Sequence, residues 1–308
     1  MDTRQKIFAM LNETEQILSG ERISAELGIS RVSVWKHIKK MVKAGIPVSS
    51  SSKGYRLISD PDSLNPMEFG IRAERVHYMV ETPSTMDEAA VLARDGCPDF
   101  TVIVAGRQTG GRGRMERVWI SDSGGLYFTI VLRPDIPLVE ASLVNLAAAV
   151  EMARLLRSSY DVPAALKWPN DILVNNLKIC GILSRMETEG DRIGYLSIGM
   201  GLNVNNTPEQ KEPVAVSVSG FLGRTVPRRE ILVAFLDRFE KRMKQFDPQS
   251  VIDDWKTANM TIGREVTVKT IKETVEGVAV DIDSMGGLVL QLSDGSCQTI
   301  VHGDCFQR

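Results

Sequence analysis

The sequence is poor in the features that mark several protein classes. Only four cysteines occur in 308 residues, at 97, 180, 297 and 305. None forms a C-x-x-C pair and no zinc-type spacing is present, so reduced thiols are expected rather than a disulfide framework or a zinc site. The most apolar stretch, near Leu143–Val150, falls well short of the ~18–20 residues a membrane span requires. The N-terminus opens on charged and polar residues rather than a leader-like apolar core, and a cytoplasmic protein is expected. Net charge is only −2, which excludes a globally basic nucleic-acid coat. A composition of 43% hydrophobic, 25% charged and 6% aromatic residues is ordinary for a globular chain and excludes a disordered or collagenous one.

Charge is unevenly placed. Residues 1–58 carry ten Lys or Arg against five Asp or Glu, a net +5 that leaves −7 for the remainder. A basic end on an acidic body points to two kinds of partner. Within that end, helical periodicity covers Thr3–Leu11, and a short helix over Glu21–Leu27 stops at Gly28. Ser30 is placed to cap a third helix carrying Val32, Val34, Ile38 and Val42 with Lys36, Lys39, Lys40 and Lys43. Two short strands around Lys53-Gly54 complete a winged helix-turn-helix. In the functional reading Ser30, Arg31, Ser33, Lys36 and His37 face a major groove, while Lys39, Lys40, Lys53 and Arg56 meet phosphates. The plain alternative is a solvated helix face, and Trp35 is expected in the core. Residues 59–66, polar with two prolines, read as a linker.

From 67 to 258 strand-like runs (Thr101–Ala105, Leu126–Leu132, Ala165–Trp168, Ile172–Val174, Ile193–Gly199) alternate with helical ones (Met86–Arg94, Leu138–Ser158, Arg229–Gln245), an α/β or α+β body. Four clusters look chemical. Ser84-Thr85-Met86-Asp87-Glu88 reads as a capping box with Thr85 as cap, a helix start that can also take a polar ligand. Residues 106–119 join close glycines to Arg107, Arg112, Arg114 and Arg117 and end on Trp119, a loop expected to order on an anion. Lys167-Trp168-Pro169-Asn170-Asp171 precedes Lys178, a cation in an apolar run that calls for an anionic partner. The Gly199–Asn206 segment closes a strand whose glycines let a flat ring approach the backbone.

In this order the clusters resemble the bacterial bifunctional biotin–protein ligases that double as biotin operon repressors. The arginine loop ending at Trp119, the Lys-Trp-Pro-Asn-Asp of 167–171 and Lys178 before Gly181-Ile182-Leu183 carry the resemblance across nearly the whole chain. It implies three domains: a winged helix over 1–60, an α/β ligase domain over 67–258, and an SH3-like β-barrel over 259–308. It further implies a biotin–[acetyl-CoA-carboxylase] ligase. Biotin and ATP, with Mg2+, give biotinoyl-5′-AMP, and the biotinoyl group then passes to a lysine of a carboxyl carrier protein. As repressor, the adenylate-bound protein dimerises on operator DNA. On this reading Lys178, Arg112 and Asp171 are catalytic, with Asp171 a Mg2+ candidate. Ser84, Thr85, Met86, Gln108, Arg112, Gly113, Arg114 and Lys178 hold biotin. Arg114, Arg117, Trp119, Asn170 and Asn203 hold the adenylate.

Two residues depart from the family pattern, Met86 where Asn is usual and Glu116 where Gly is frequent. A biotin sensor without catalysis, a ligase with a silent winged helix, and a lipoate or octanoyl ligase remain the alternatives. Cys180 reads as a packed strand residue rather than a nucleophile.

Overall fold

A computed structural model describes residues 2–43, 46–58 and 60–307; Ser59 of the expected linker and the side chain of Glu116 lie outside the described residues. The chain divides into two compact units, Met1–Val76 and His77–Arg308.

The first unit holds three helices and a hairpin. Helix α1 (Thr3–Asn12) starts at a reciprocal cap, with Asp2 accepting from the Gln5 amide and the Gln5 side chain accepting from the Asp2 amide. Helix α2 (Gly20–Leu27) ends on left-handed Gly28, and α3 (Arg31–Lys43) follows, its first turn capped by Ser30. Strands β1 (Val48–Ser51) and β2 (Gly54–Leu57) pair antiparallel as the wing. Gly54 is required at the crossing with the chain before α2, because a Cβ there would lie 2.1 Å from the Leu18 carbonyl oxygen.

The core contains Ile7, Leu11, Ile23, Val34, Ile38 and Met41. This corrects the expectation for α3. Residues 34, 38 and 41 follow the helical period and turn inward, while Val32 (61% exposed), Trp35 (46%) and Val42 (48%) lie outside the core. Trp35 instead receives the Lys39 ammonium 4.2 Å from its ring centroid. The expected linker is also partly packed: Leu64 and Asn65 are buried, and Asn65 caps a 3-10 turn over Pro66–Arg72.

The second unit is built on a seven-stranded sheet. Its strands are β3 (Val76–Met79), β4 (Thr101–Ala105), β5 (Leu126–Leu132), β6 (Ala165–Lys167), β7 (Asp171–Val174), β8 (Leu177–Glu189) and β9 (Arg192–Leu202), in the order β3-β4-β5-β9-β8-β7-β6. Pairing is antiparallel from β4 through to β6. Helix α4 (Thr85–Arg94) packs beside β4, β5 and β9. Helix α5 (Ala141–Tyr160) packs against the sheet and against α7 (Arg228–Lys244) and α8 (Pro248–Ala258); a short α6 spans Val218–Leu222. Helix α5 is buried nearly all round, which fits its central place. Its Glu151 joins Arg154, Arg242 and Asp254 in an ion-pair network linking the three helices.

Strands β10 (Glu265–Lys269), β11 (Thr274–Ile282), β12 (Leu288–Gln291), β13 (Cys297–Ile300) and β14 (Asp304–Gln307) form an antiparallel sheet in the order β13-β12-β11-β10-β14. The chain is thus a mixed α/β protein with an N-terminal helix-turn-helix and a C-terminal β domain. Among the described residues no helix is long and apolar enough to cross a membrane.

Candidate active site

One face of the large sheet opens into a cavity of about 500 Å³. Every residue expected to be catalytic or to hold biotin or adenylate lies on its wall, including Lys178, Arg112, Asp171, Ser84, Gln108 and Asn203.

The β7–β8 hairpin brings the central pair together. Asn175 and Asn176 both adopt positive φ (51° and 65°), the conformation of a tight two-residue turn. The register then sets Lys178 opposite Leu173, and Asp171 lies two residues away along the same strand. Lys178 Nζ approaches Asp171 Oδ1 to 2.7 Å and lies 5.1 Å from the Trp119 ring centroid. Its backbone is held on both sides of the peptide: its N–H donates to Val214 O and its carbonyl accepts from Val216 N. The lysine demanded an anionic partner, and Asp171 is that partner. Cys180, two residues further along β8, is fully buried, and burial pushes its thiol well above the ordinary range, as befits a packing residue.

Helix α4 meets the cavity at its N-terminus. The cap is Ser84, whose hydroxyl accepts from the Met86 amide, and not Thr85. The expected box does not form, because the Glu88 carboxylate takes the Thr82 hydroxyl instead. Thr85 is thereby released for another network: Thr129 Oγ1 donates to Thr85 Oγ1, and the Thr85 amide and hydroxyl both donate to Gln108 Oε1. The Gln108 amide then donates to Ser121 Oγ, which donates to Trp119 O. Fixed donors and acceptors therefore converge at this end of the cavity.

Met86 is buried against Gly199, where a Cβ would lie 2.6 Å from its sulfur. Trp119 lies flat over Gly181 and Gly201; a Cβ on Gly201 would stand 2.3 Å from Trp119 Nε1. That indole nitrogen is buried without a hydrogen-bond partner.

The arginine loop is pinned at several points. Arg112 and Val118 form an isolated bridge, Gly113 N donates to Arg117 O, and Trp119 N donates to Gly111 O. Gly111 is needed there, since a Cβ would come within 2.3 Å of Trp119 O. The protein's own groups meet the arginines: Arg107 pairs with Glu81, Arg112 with Asp87 at 2.8 Å, and Arg117 with Asp304. Arg114 reaches Asn170 Oδ1 at 3.4 Å. Burial pulls the Arg114 guanidinium below its usual value, against the opposing pull of Asp304 and Asp171. Asn203 lines the cavity but spends its side-chain oxygen on Asn206 Nδ2.

Sequence reasoning missed Thr129, Ser121, Asp304 and Phe306. The last two come from β14, a four-residue strand at the end of the chain that alternation over so short a span did not reveal.

Residues 79–203 match the Biotin/lipoate A/B protein ligase family, residues 3–56 a helix-turn-helix domain, and residues 261–308 the biotin protein ligase C-terminal domain. The chain is 37% identical to the bifunctional ligase/repressor BirA of Bacillus subtilis, covering 91% of each protein. It is 32% identical to the biotin–[acetyl-CoA-carboxylase] ligase of Mycobacterium tuberculosis, over 75% of this chain and 88% of that protein. The biotin protein ligase of Aquifex aeolicus, solved with biotin and ATP, superposes with a TM-score of 0.64 at 28% identity, over 76% of this chain and 98% of that one. On these matches, and on a ligase-type cavity assembled from the expected clusters, the chain belongs to the biotin–protein ligases, within the group that carries a helix-turn-helix domain.

Proposed function

We propose that this chain activates biotin with ATP and transfers the biotinoyl group to a lysine of a carboxyl carrier protein, and that the adenylate-bound form represses biotin genes. The division of labour follows the three segments, 1–60 on DNA, 67–258 in chemistry and 259–308 closing the cavity. The observation that carries the reading is the Lys178–Asp171 pair, set in one cavity between a converging hydrogen-bond network and three arginines, Arg112, Arg114 and Arg117.

The Thr85–Gln108–Ser121 network offers the fixed donors and acceptors a cyclic urea needs, beside the apolar Met86 and Leu183. The cationic wall, with Arg112, Arg114, Arg117 and Lys178, suits phosphate. In the first step a biotin carboxylate oxygen bonds to the α-phosphorus of ATP and the bond to the β-phosphate oxygen breaks, releasing pyrophosphate. Two anions must meet, so the rate rests on positive charge fixed where charge develops. Lys178 and Arg114 supply it inside the cavity, while Arg112 and Arg117 trade their carboxylate partners for phosphate. In the second step the carrier lysine's amine bonds to the acyl carbon, the acyl–phosphate bond breaks and AMP leaves. Asp171 takes the amine's proton.

Among the described residues no three His, Cys, Asp or Glu side chains come together. Asp171 would offer an oxygen ligand to a Mg2+ carried on the triphosphate, and the ion would there neutralise phosphate charge.

The repressor arm draws on α3, whose exposed Lys36, Lys39 and Lys40 stand beside the wing with Lys53 and Arg56. His37 contributes less surface than expected, being half-buried with an enclosed Nδ1.

Pyrophosphate release requiring both biotin and ATP tests the ligase arm; release with lipoate in place of biotin overturns it. A mobility shift on the organism's biotin-gene promoter, strengthened by biotin with MgATP, tests the repressor arm, and an indifferent shift removes the adenylate from it.

A further inference from the structure

The outward face of α3 mixes charge with apolar surface in a way that phosphate binding does not explain. Val32 and Trp35 stand three residues apart on adjoining parts of that face, 61% and 46% exposed, in the first half of the helix. Exposing a valine and an indole side by side on a small domain forfeits burial that the neighbouring core would reward. Lys36, Lys39, Lys40 and Lys43 surround them. The helix contains no acidic residue, and among the described residues none of these lysines has an ion-pair partner. The surface is therefore apolar at its reading edge and cationic in its frame, which complements a polyanion that carries methyl groups in a groove. Duplex DNA has that chemistry: the first half of a recognition helix meets base edges, and thymine alone presents a C5 methyl there.

We infer that Val32 and Trp35 read thymine by enclosing its methyl group in the major groove, and so set which half-site the helix accepts. Lys39, stacked over the Trp35 ring at 4.2 Å, braces that ring while its ammonium stays available to the flanking phosphate. The inference rests on the DNA-binding reading above and narrows it to the base that α3 prefers.

The test uses the full chain with biotin and MgATP. Duplexes are selected from a random pool, and each thymine of the enriched half-site is then replaced by deoxyuridine, which removes the methyl and nothing else. At one position per half-site the loss should be about fourfold, or roughly fifteenfold when both half-sites are changed, from the burial of one methyl each. The V32A/W35A double variant should bind the thymine and uracil duplexes alike, keep its salt dependence, and keep wild-type pyrophosphate release as proof of folding. Wild-type protein that ignores the uracil replacement, or a double variant that still discriminates, overturns the methyl contact and leaves DNA binding standing. A pool that enriches no sequence overturns both.

Discussion

The arginine loop and helix α3 are both densely cationic, yet they handle their charge in opposite ways. In the loop Arg107, Arg112 and Arg117 each meet a carboxylate, and Arg114 meets the Asn170 amide. On α3 four lysines stand exposed without an acidic residue in the helix. Paired cations hold a shape until a stronger anion displaces the partner, which suits a site that binds and releases a small phosphate ligand. Unpaired cations repel one another and invite a polyanion that neutralises several together, at a strength set by salt. The expectation that the loop would need an external anion therefore meets a different solution, in which the chain supplies the counter-charges itself.

The sharpest break of this comparison is at Lys178, the cavity cation paired with Asp171. Lys178→Ala should cut biotin-dependent pyrophosphate release by about 10³-fold, the scale of losing one fixed charge-stabilising donor. Asp171 is left without its ion-pair partner, so a thermal melt should accompany the assay. A variant that retains full activity removes Lys178 from the mechanism.

Next in size is the unpaired set. Replacing Lys39 and Lys40 together by glutamine should lower the slope of log K against log salt by about 1.8, at roughly 0.9 per phosphate contact, and so weaken DNA binding about sixtyfold at ~0.1 M relative to 1 M salt. An unchanged slope means these lysines are only a solvated face.

A smaller effect is expected at the cavity floor. A Cβ at Gly201 would stand 2.3 Å from Trp119 Nε1, so Gly201→Ala must displace the indole. Half-saturation by ATP should rise about tenfold while the biotin requirement holds, on the scale of losing one buried aromatic contact. Equal shifts for both substrates would place Trp119 elsewhere in the reaction.

What the sequence made legible were residues whose chemistry is concentrated. Ser84–Glu88, the arginine loop, the 167–183 stretch and the strand glycines each cluster unusual residue types, and the fold brings all four to one cavity. What stayed hidden depended on geometry that composition does not carry. Thr85 and Ser84 compete for one cap, and only the extended backbone at Ser84 decides it. Thr129 is one polar residue in the fully buried strand β5, with nothing in its neighbours to show that its hydroxyl meets Thr85. Asp304 and Phe306 reach the cavity through sheet order rather than chain proximity. Trp35 misled because its residue type favours burial, whereas the helical period through Val34, Ile38 and Met41 already filled the inner face.

The smallest effect tests whether the loop's pairs hold it at all. The Arg112–Asp87 pair is well exposed, 56% and 40% at the two side chains. A pair so open to solvent contributes at most about 1 kcal/mol to stability, because water and salt compete for both ends. Asp87→Asn should therefore leave the melting temperature within a few degrees of wild type, while freeing Arg112 for a ligand phosphate at no exchange cost. Retention of biotinoyl-AMP, followed by rapid filtration, should lengthen by a factor of two or three if the carboxylate competes with the ligand for the guanidinium. Retention that shortens would mean that Asp87 orients Arg112 towards the ligand, and the contrast with the unpaired lysines of α3 would then lie in geometry rather than in competition for charge.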